Sequence, residues 1–148
     1  MIQSLYFDDF QLGDEFRSAG RTITETDLVL FGGLTGDITS LHLDAEYSAQ
    51  TQFGQRIAHG ALIFSLSVGL MTQTVRMHDS IIAYYGLDKL RFTKPTFIGD
   101  TIHLIKRVTA LDAKDSTRGV ITFEAEVKNQ RGEVVQVYTD KVAVKRRT

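Results

Sequence analysis

The chain has 148 residues, 43% of them hydrophobic and 24% charged, with a formal net charge of −1. This length allows one compact domain, 1–148, with a real core, and the charge gives no overall attraction to nucleic acid or an anionic membrane. With no cysteine, neither a disulfide framework nor a thiolate metal site is available, which is compatible with the cytoplasmic setting we expect. The opening residues carry no basic lead followed by an apolar core, so no secretory signal is expected. The apolar stretch Ala61–Met71 is interrupted by Ser65, Ser67 and Gly69 and falls short of the roughly 18 residues of a membrane span.

Taken in order, residues 1–14 read as an irregular lead-in pinned by Phe7, Phe10 and Leu12. Glu15–Ile23 is a weakly patterned strand containing Gly20. Thr24 suits a helix N-cap, and Asp27 three residues later completes a variant capping box. Leu28 to Phe31 supply the apolar face, and Gly32, Gly33 and Gly36 are expected to end that helix. Asp37 then falls in a loop, free to point into a cleft. Asp44 suits the N-cap of a second short helix through Gln50, which Phe53-Gly54 breaks. From His59 to Gln73 the chain is apolar nearly all round, the pattern of a buried helix.

After Ser80 the period changes. Strands are expected at Ile81–Thr93, Asp100–Leu111, Thr117–Asn129 and Val134–Val144, with a bend at Pro95 and Gly99 and a hairpin turn over Asn129–Gly132. Ile121, Phe123, Ala125 and Val127 alternate cleanly with polar neighbours, so one face of that strand is buried and the other wet. Ile102, Leu104 and Lys106 alternate only loosely against His103, Ile105 and Arg107. One buried helix and a run of antiparallel strands make an α+β domain whose sheet wraps that helix.

The candidate chemistry lies between Thr35 and Gly60. A carboxylate and an imidazole converging on one water can activate it and deliver a proton. Asp37 and His42 offer this pair, although spacing alone favours a capping acid and a surface imidazole. His42 and Asp44 lack a third ligand at useful spacing, so no metal site is expected. His59 reads best as support for the buried helix. Gly60 is more informative, because its N–H at a helix N-terminus is free to polarise a carbonyl. A triad of Ser65, His59 and Asp44 can be drawn, but nothing in the spacing demands it. His78 and His103 have no acidic partner at motif spacing, and the basic tail from Lys141 reads as the solvated end of a strand.

Thr35-Gly36-Asp37, His42 with Asp44, Phe53-Gly54, and Ile57 with His59-Gly60 together resemble the signature of the MaoC-like dehydratases. These are the R-specific enoyl-CoA hydratase family of hot-dog proteins. Tyr6 to Asp14 and Pro95 to Asp100 extend the resemblance over most of the chain. It implies a hot-dog fold, a homodimer or higher homo-oligomer, an acyl-CoA thioester as substrate, and no cofactor or metal. Transferred residue by residue, Asp37 and His42 become the catalytic pair holding water at the 2,3 double bond of an enoyl thioester. Gly60 becomes the donor to the thioester oxygen, and Thr39, Phe53, Gly54, His59 and Ser65 are expected around the substrate. Two departures stand out. Thr39-Ser40 replaces the usual Asn-Pro, and Val68 stands where some relatives carry a serine. A hot-dog acyl-CoA thioesterase and a non-catalytic acyl-CoA-binding subunit are the alternatives the same resemblance allows.

Overall fold

Alternation of apolar residues, cleanest over 121–127, gives the sheet in the second half of the chain one dry face. In the computed structural model, which describes residues 3–147, β3 (Ile81–Phe92), β4 (Thr101–Ala113), β5 (Arg118–Lys128) and β6 (Val134–Lys145) are the long strands. Met1 and Ile2 of the expected lead-in, and Thr148, lie outside the described residues. All pairings are antiparallel, in the order β1-β4-β5-β6-β3, with β2 also on β4. Each long strand starts and stops within two residues of expectation. The turn before β6 closes where the sequence places it. Gly132 takes φ +76 there, and the Asn129 carboxamide oxygen accepts from the N–H groups of Arg131 and Glu133.

The first expected strand is in fact two. β1 (Glu15–Arg17) and β2 (Arg21–Thr22) both pair with β4 and are separated at Ala19-Gly20. A Cβ at Gly20 would stand 2.9 Å from the Thr101 methyl, so the close crossing there requires glycine. Phe7 and Phe10 are buried as expected, but Leu12 is 67% exposed and pins nothing.

Helix α1 (Glu25–Thr35) has the expected capping box, with Thr24 Oγ1 accepting from the Asp27 N–H and the Asp27 carboxylate accepting from the Thr24 N–H. Gly32 and Gly33 do not end it; it runs through both and stops at Gly36, which takes φ +79. Gly32 is buried because the following loop folds back over it: a Cβ there would lie 3.2 Å from the Asp37 carbonyl oxygen.

Helix α2 (Ser40–Leu43) is a single turn, and α3 (Ala45–Ala49) is N-capped by Asp44, which accepts from the Tyr47 N–H. Helix α4 (Gly60–Thr74) lies on the dry face of the sheet and buries Leu62, Ile63, Ser67, Leu70 and Met71. The apolar residues among these share one core with Ile102, Leu104, Phe123 and Val127 of the sheet. The other side of α4 is less covered than its composition implies, with Phe64, Leu66 and Val68 only half-buried.

Candidate active site

Three backbone devices bring the polar residues of the Thr35–Gly60 segment together. Gly36 turns the chain sharply at the end of α1. The Asp37 carboxylate then accepts from the Thr39 hydroxyl at 2.7 Å and the Thr39 N–H at 3.4 Å. Thr39 in turn starts α2, its carbonyl accepting from the N–H groups of His42 and Leu43. His42 therefore sits on a helical turn rather than in an open loop, and its imidazole is turned toward Asp37.

Two carbonyls fix the rings. His42 Nδ1 lies 2.8 Å from the Ile57 carbonyl oxygen, and His59 Nε2 lies 2.9 Å from that of Asp37. A carbonyl only accepts, so each of these nitrogens carries a hydrogen. That leaves His42 Nε2 as the ring atom able to take a proton. The two imidazoles stack with centroids 3.8 Å apart, and Phe31 meets His59 edge-on at 4.9 Å. One ligating atom from each of Asp37, His42 and His59 falls within 4.8 Å of the others. The Thr39 hydroxyl, with its N–H and the nearby imidazoles, holds the Asp37 carboxyl below the usual carboxylate range, against a smaller opposing effect of desolvation.

Beside this cluster is a cleft of about 280 Å³, lined by His42, Phe53, Ile63, Phe92 and Gln136 and reaching Gly60 at the start of α4. Gly60 is the first helical residue, so its N–H has no partner within the helix. The cleft is mostly apolar, which strengthens any hydrogen bond made to a substrate inside it.

Four residues expected around a substrate do other work. His59 is 2% exposed and makes no capping bond to α4; it supports the Asp37 backbone. The Thr39 hydroxyl is spent on Asp37. Gly54 is off the cleft and takes φ +70 in the turn after α3. Ser65 is exposed on the side of α4 away from the core, and its hydroxyl bonds back to the Ala61 carbonyl. Helical periodicity explains this last case: with Ile63 and Ser67 facing the core, Ser65 must face out.

Phe92 and Gln136 are among the cleft residues that the sequence does not single out. Phe92 ends β3, and Gln136 on β6 donates from Nε2 to the Gly60 carbonyl at 2.7 Å. The available signal was a polar residue in a buried phase: Gln136, Tyr138 and Asp140 all face inward on β6.

Residues 9–133 match the model of the MaoC like domain. Protein MaoC of Klebsiella aerogenes is 40% identical over 100 residues, 67% of this chain and 29% of that protein. The chain therefore spans less than a third of that relative. An (R)-specific enoyl-CoA hydratase of Rhodospirillum rubrum is 36% identical over 107 residues, 72% of this chain and 71% of that one. Among solved structures, a MaoC-like dehydratase from Rhodospirillum rubrum superposes with a TM-score of 0.88 at 32% identity, covering 98% of this chain and 99% of that chain. The antiparallel sheet laid over α4 is the hot-dog fold, and the chain belongs to the MaoC-like domain family.

Proposed function

We propose that this protein is a hydro-lyase that adds water across the 2,3 double bond of a trans-2-enoyl-CoA, giving an (R)-3-hydroxyacyl-CoA, or removes it in reverse. One observation carries the reading. The Asp37 carboxylate and the His42 imidazole converge within 4.8 Å beside an apolar cleft that ends at the free N–H of Gly60. Relatives named as hydratases and dehydratases support the reaction class.

In the forward direction, Asp37 and His42 Nε2 hold a water between them. As its oxygen bonds to C3, His42 takes one water proton, and the π electrons move toward C2 and the thioester carbonyl. The charge that develops on the carbonyl oxygen is met by the Gly60 N–H; removing one such donor typically costs about 3–4 kcal/mol of barrier. The proton is then delivered to C2. The water has been split into OH on C3 and H on C2, and no redox step is needed.

We read the cluster as working without a metal. An ion needs lone pairs that converge on it, whereas the two imidazoles are stacked with only 27° between their planes. We also read the protein as a homodimer. The outer edge of β3 has no partner strand among the described residues, and Ile82, Tyr84, Tyr85, Leu87 and Phe92 on that strand are exposed. A long apolar edge invites a second strand.

The test is hydration of crotonyl-CoA and longer enoyl-CoAs, followed by loss of enoyl absorbance. Asp37→Asn and His42→Ala should each lower turnover by about 100- to 10,000-fold while the variants stay folded, with a cooperative thermal transition. Wild-type turnover in both variants sinks the proposal. Release of free thiol without loss of enoyl absorbance points instead to a thioesterase.

A further inference from the structure

We infer that Gln136 is a positioning residue that sets the direction of the Gly60 N–H, working with its cross-strand partner Phe92. The inference rests on the oxyanion role proposed above for Gly60 and explains how a glycine can fill it.

Glycine has the freest backbone of any residue. Within α4, the peptide that carries the Gly60 N–H is held by a long bond, the Ile63 N–H donating to the His59 carbonyl at 3.2 Å. Restraint from outside the helix would therefore sharpen the angle at which that N–H meets a carbonyl. The structure supplies two restraints from one place in the sheet. Phe92 and Gln136 face each other across β3 and β6. The Phe92 ring closes over the Cα of Gly60, with three ring carbons 3.0 Å from where a Cβ would stand. Gln136 Nε2 donates to the Gly60 carbonyl at 2.7 Å. That bond fixes the plane of the Gly60–Ala61 peptide. With the ring against Cα, it also limits rotation of the preceding peptide, which carries the Gly60 N–H.

The carboxamide orientation follows from the acceptor. Only the NH₂ end of the side chain can face a carbonyl, so Oε1 is turned away. It is buried without a hydrogen-bond partner among the described residues, in a residue that is 2% exposed. Such orphaned acceptors are rare and call for an explanation. A methionine would fill the same length without stranding an oxygen. What methionine cannot do is hold the Gly60 carbonyl, and that is the role we assign to glutamine here.

The experiment uses the full chain and saturated thioesters that cannot be hydrated. Butyryl-CoA and octanoyl-CoA, carbon-13-labelled at the carbonyl, are bound and their carbonyl stretch is read by difference infrared spectroscopy. In the wild type the stretch should move to lower frequency, and Gln136→Met and Gln136→Glu should lose most of that shift. Asp37→Asn should keep it. Turnover of crotonyl-CoA by the Gln136 variants should fall about 10- to 100-fold in kcat, with KM within about threefold of wild type. Phe92→Leu should weaken the shift in part, which keeps the test open should Gln136→Met fail to fold.

A full carbonyl shift in both Gln136 variants overturns the inference, as does the absence of a shift or of binding in the wild type. If Asp37→Asn abolishes hydration while the Gln136 variants keep both shift and kcat, the inference falls and the hydratase reading stands. If the wild type hydrates nothing yet its carbonyl shift depends on Gln136, the reading falls and the inference stands.

Discussion

The His59 imidazole lies stacked on that of His42, centroids 3.8 Å apart, while its Nε2 donates to the carbonyl of Asp37. One buried ring thus touches both members of the proposed catalytic pair without itself facing the cleft. Two kinds of substitution separate its roles. His59→Phe keeps a ring for the stack but removes the donor. It should lower kcat about tenfold or more by freeing the Asp37 backbone, for about 1–2 kcal/mol of lost stability. His59→Ala removes both and leaves a cavity, which should cost about 2–4 kcal/mol in chemical denaturation. Unchanged kcat in His59→Phe would reduce His59 to packing alone.

The Asp37 carboxyl, followed by carbon-13 NMR as the pH falls, should report the Thr39 hydroxyl. That hydroxyl is the largest influence holding the Asp37 carboxyl below its ordinary range. The working form of Asp37 is the carboxylate, and its titration midpoint in the wild type should lie below the usual aspartate value of about 3.9. Thr39→Val removes the hydrogen bond and moves that midpoint to higher pH. The sign for stability is the same: a depressed folded-state value stabilises above the unfolded value, and the gain is lost as pH falls through the folded one. At neutral pH, Asp37 is ionised in both proteins, so turnover should differ much less there, whereas the stability that the hydrogen bond adds is fully present there and is lost in the variant. An Asp37 midpoint that stays in place in Thr39→Val would show that the hydroxyl does not set it.

Much of this site could be read from residue order alone, because its parts are local. The capping box at Thr24, the turn at Gly36 and the helix start at Gly60 each depend on neighbours a few residues away. The clean alternation in β5 showed which of its faces is wet. What could not be read are pairings between distant elements. Lys106 stands in an apolar phase of β4 and looks like a pattern error, since its carboxylate partner lies on β6. Gln136 looks like a polar intrusion until the Gly60 carbonyl is seen above it. Gly32 and Gly33 look like a helix stop, yet glycine at 32 is needed for the Asp37 loop to pack close, and the helix continues through both.

The replacement of Asn-Pro by Thr39-Ser40 has a local consequence that can be reversed. Ser40 is the first residue of α2, the position where proline is best tolerated in a helix, because an N–H there has no intrahelical partner. Thr39 already has φ −52 and ψ 136, the extended backbone that a residue before proline must adopt. Ser40→Pro should therefore raise stability by about 0.4–1 kcal/mol through a stiffer unfolded chain, with turnover equal to or above wild type. A fall in the unfolding midpoint would mean that the Ser40 N–H or side chain has a role the backbone geometry does not reveal.

The deepest charges in the molecule are Lys106, 1% exposed, and Asp140, fully buried. Their contact holds the inner face of β4 to that of β6 beneath α4. The Lys106 ammonium donates to the Asp140 carboxylate and to Met71 Sδ at 2.8 Å, and it lies 4.9 Å from the Phe123 ring centroid. The Tyr84 hydroxyl donates to the same carboxylate oxygen at 2.7 Å, leaving Asp140 Oδ1 buried and without a partner among the described residues. Burial pushes the Lys106 ammonium below its ordinary range, and the carboxylate opposes that shift. Lys106→Met should cost about 3–5 kcal/mol, because it strands an uncompensated buried charge. Lys106→Met with Asp140→Leu removes both charges and both desolvation penalties, and should recover most or all of that loss. Tyr84 is 38% exposed, so its hydroxyl can turn to water in the double variant. Urea unfolding midpoints of the wild type, the single variant and the double variant decide the matter. A double variant as unstable as the single one would mean that the pair contributes through more than the cancellation of its own charges.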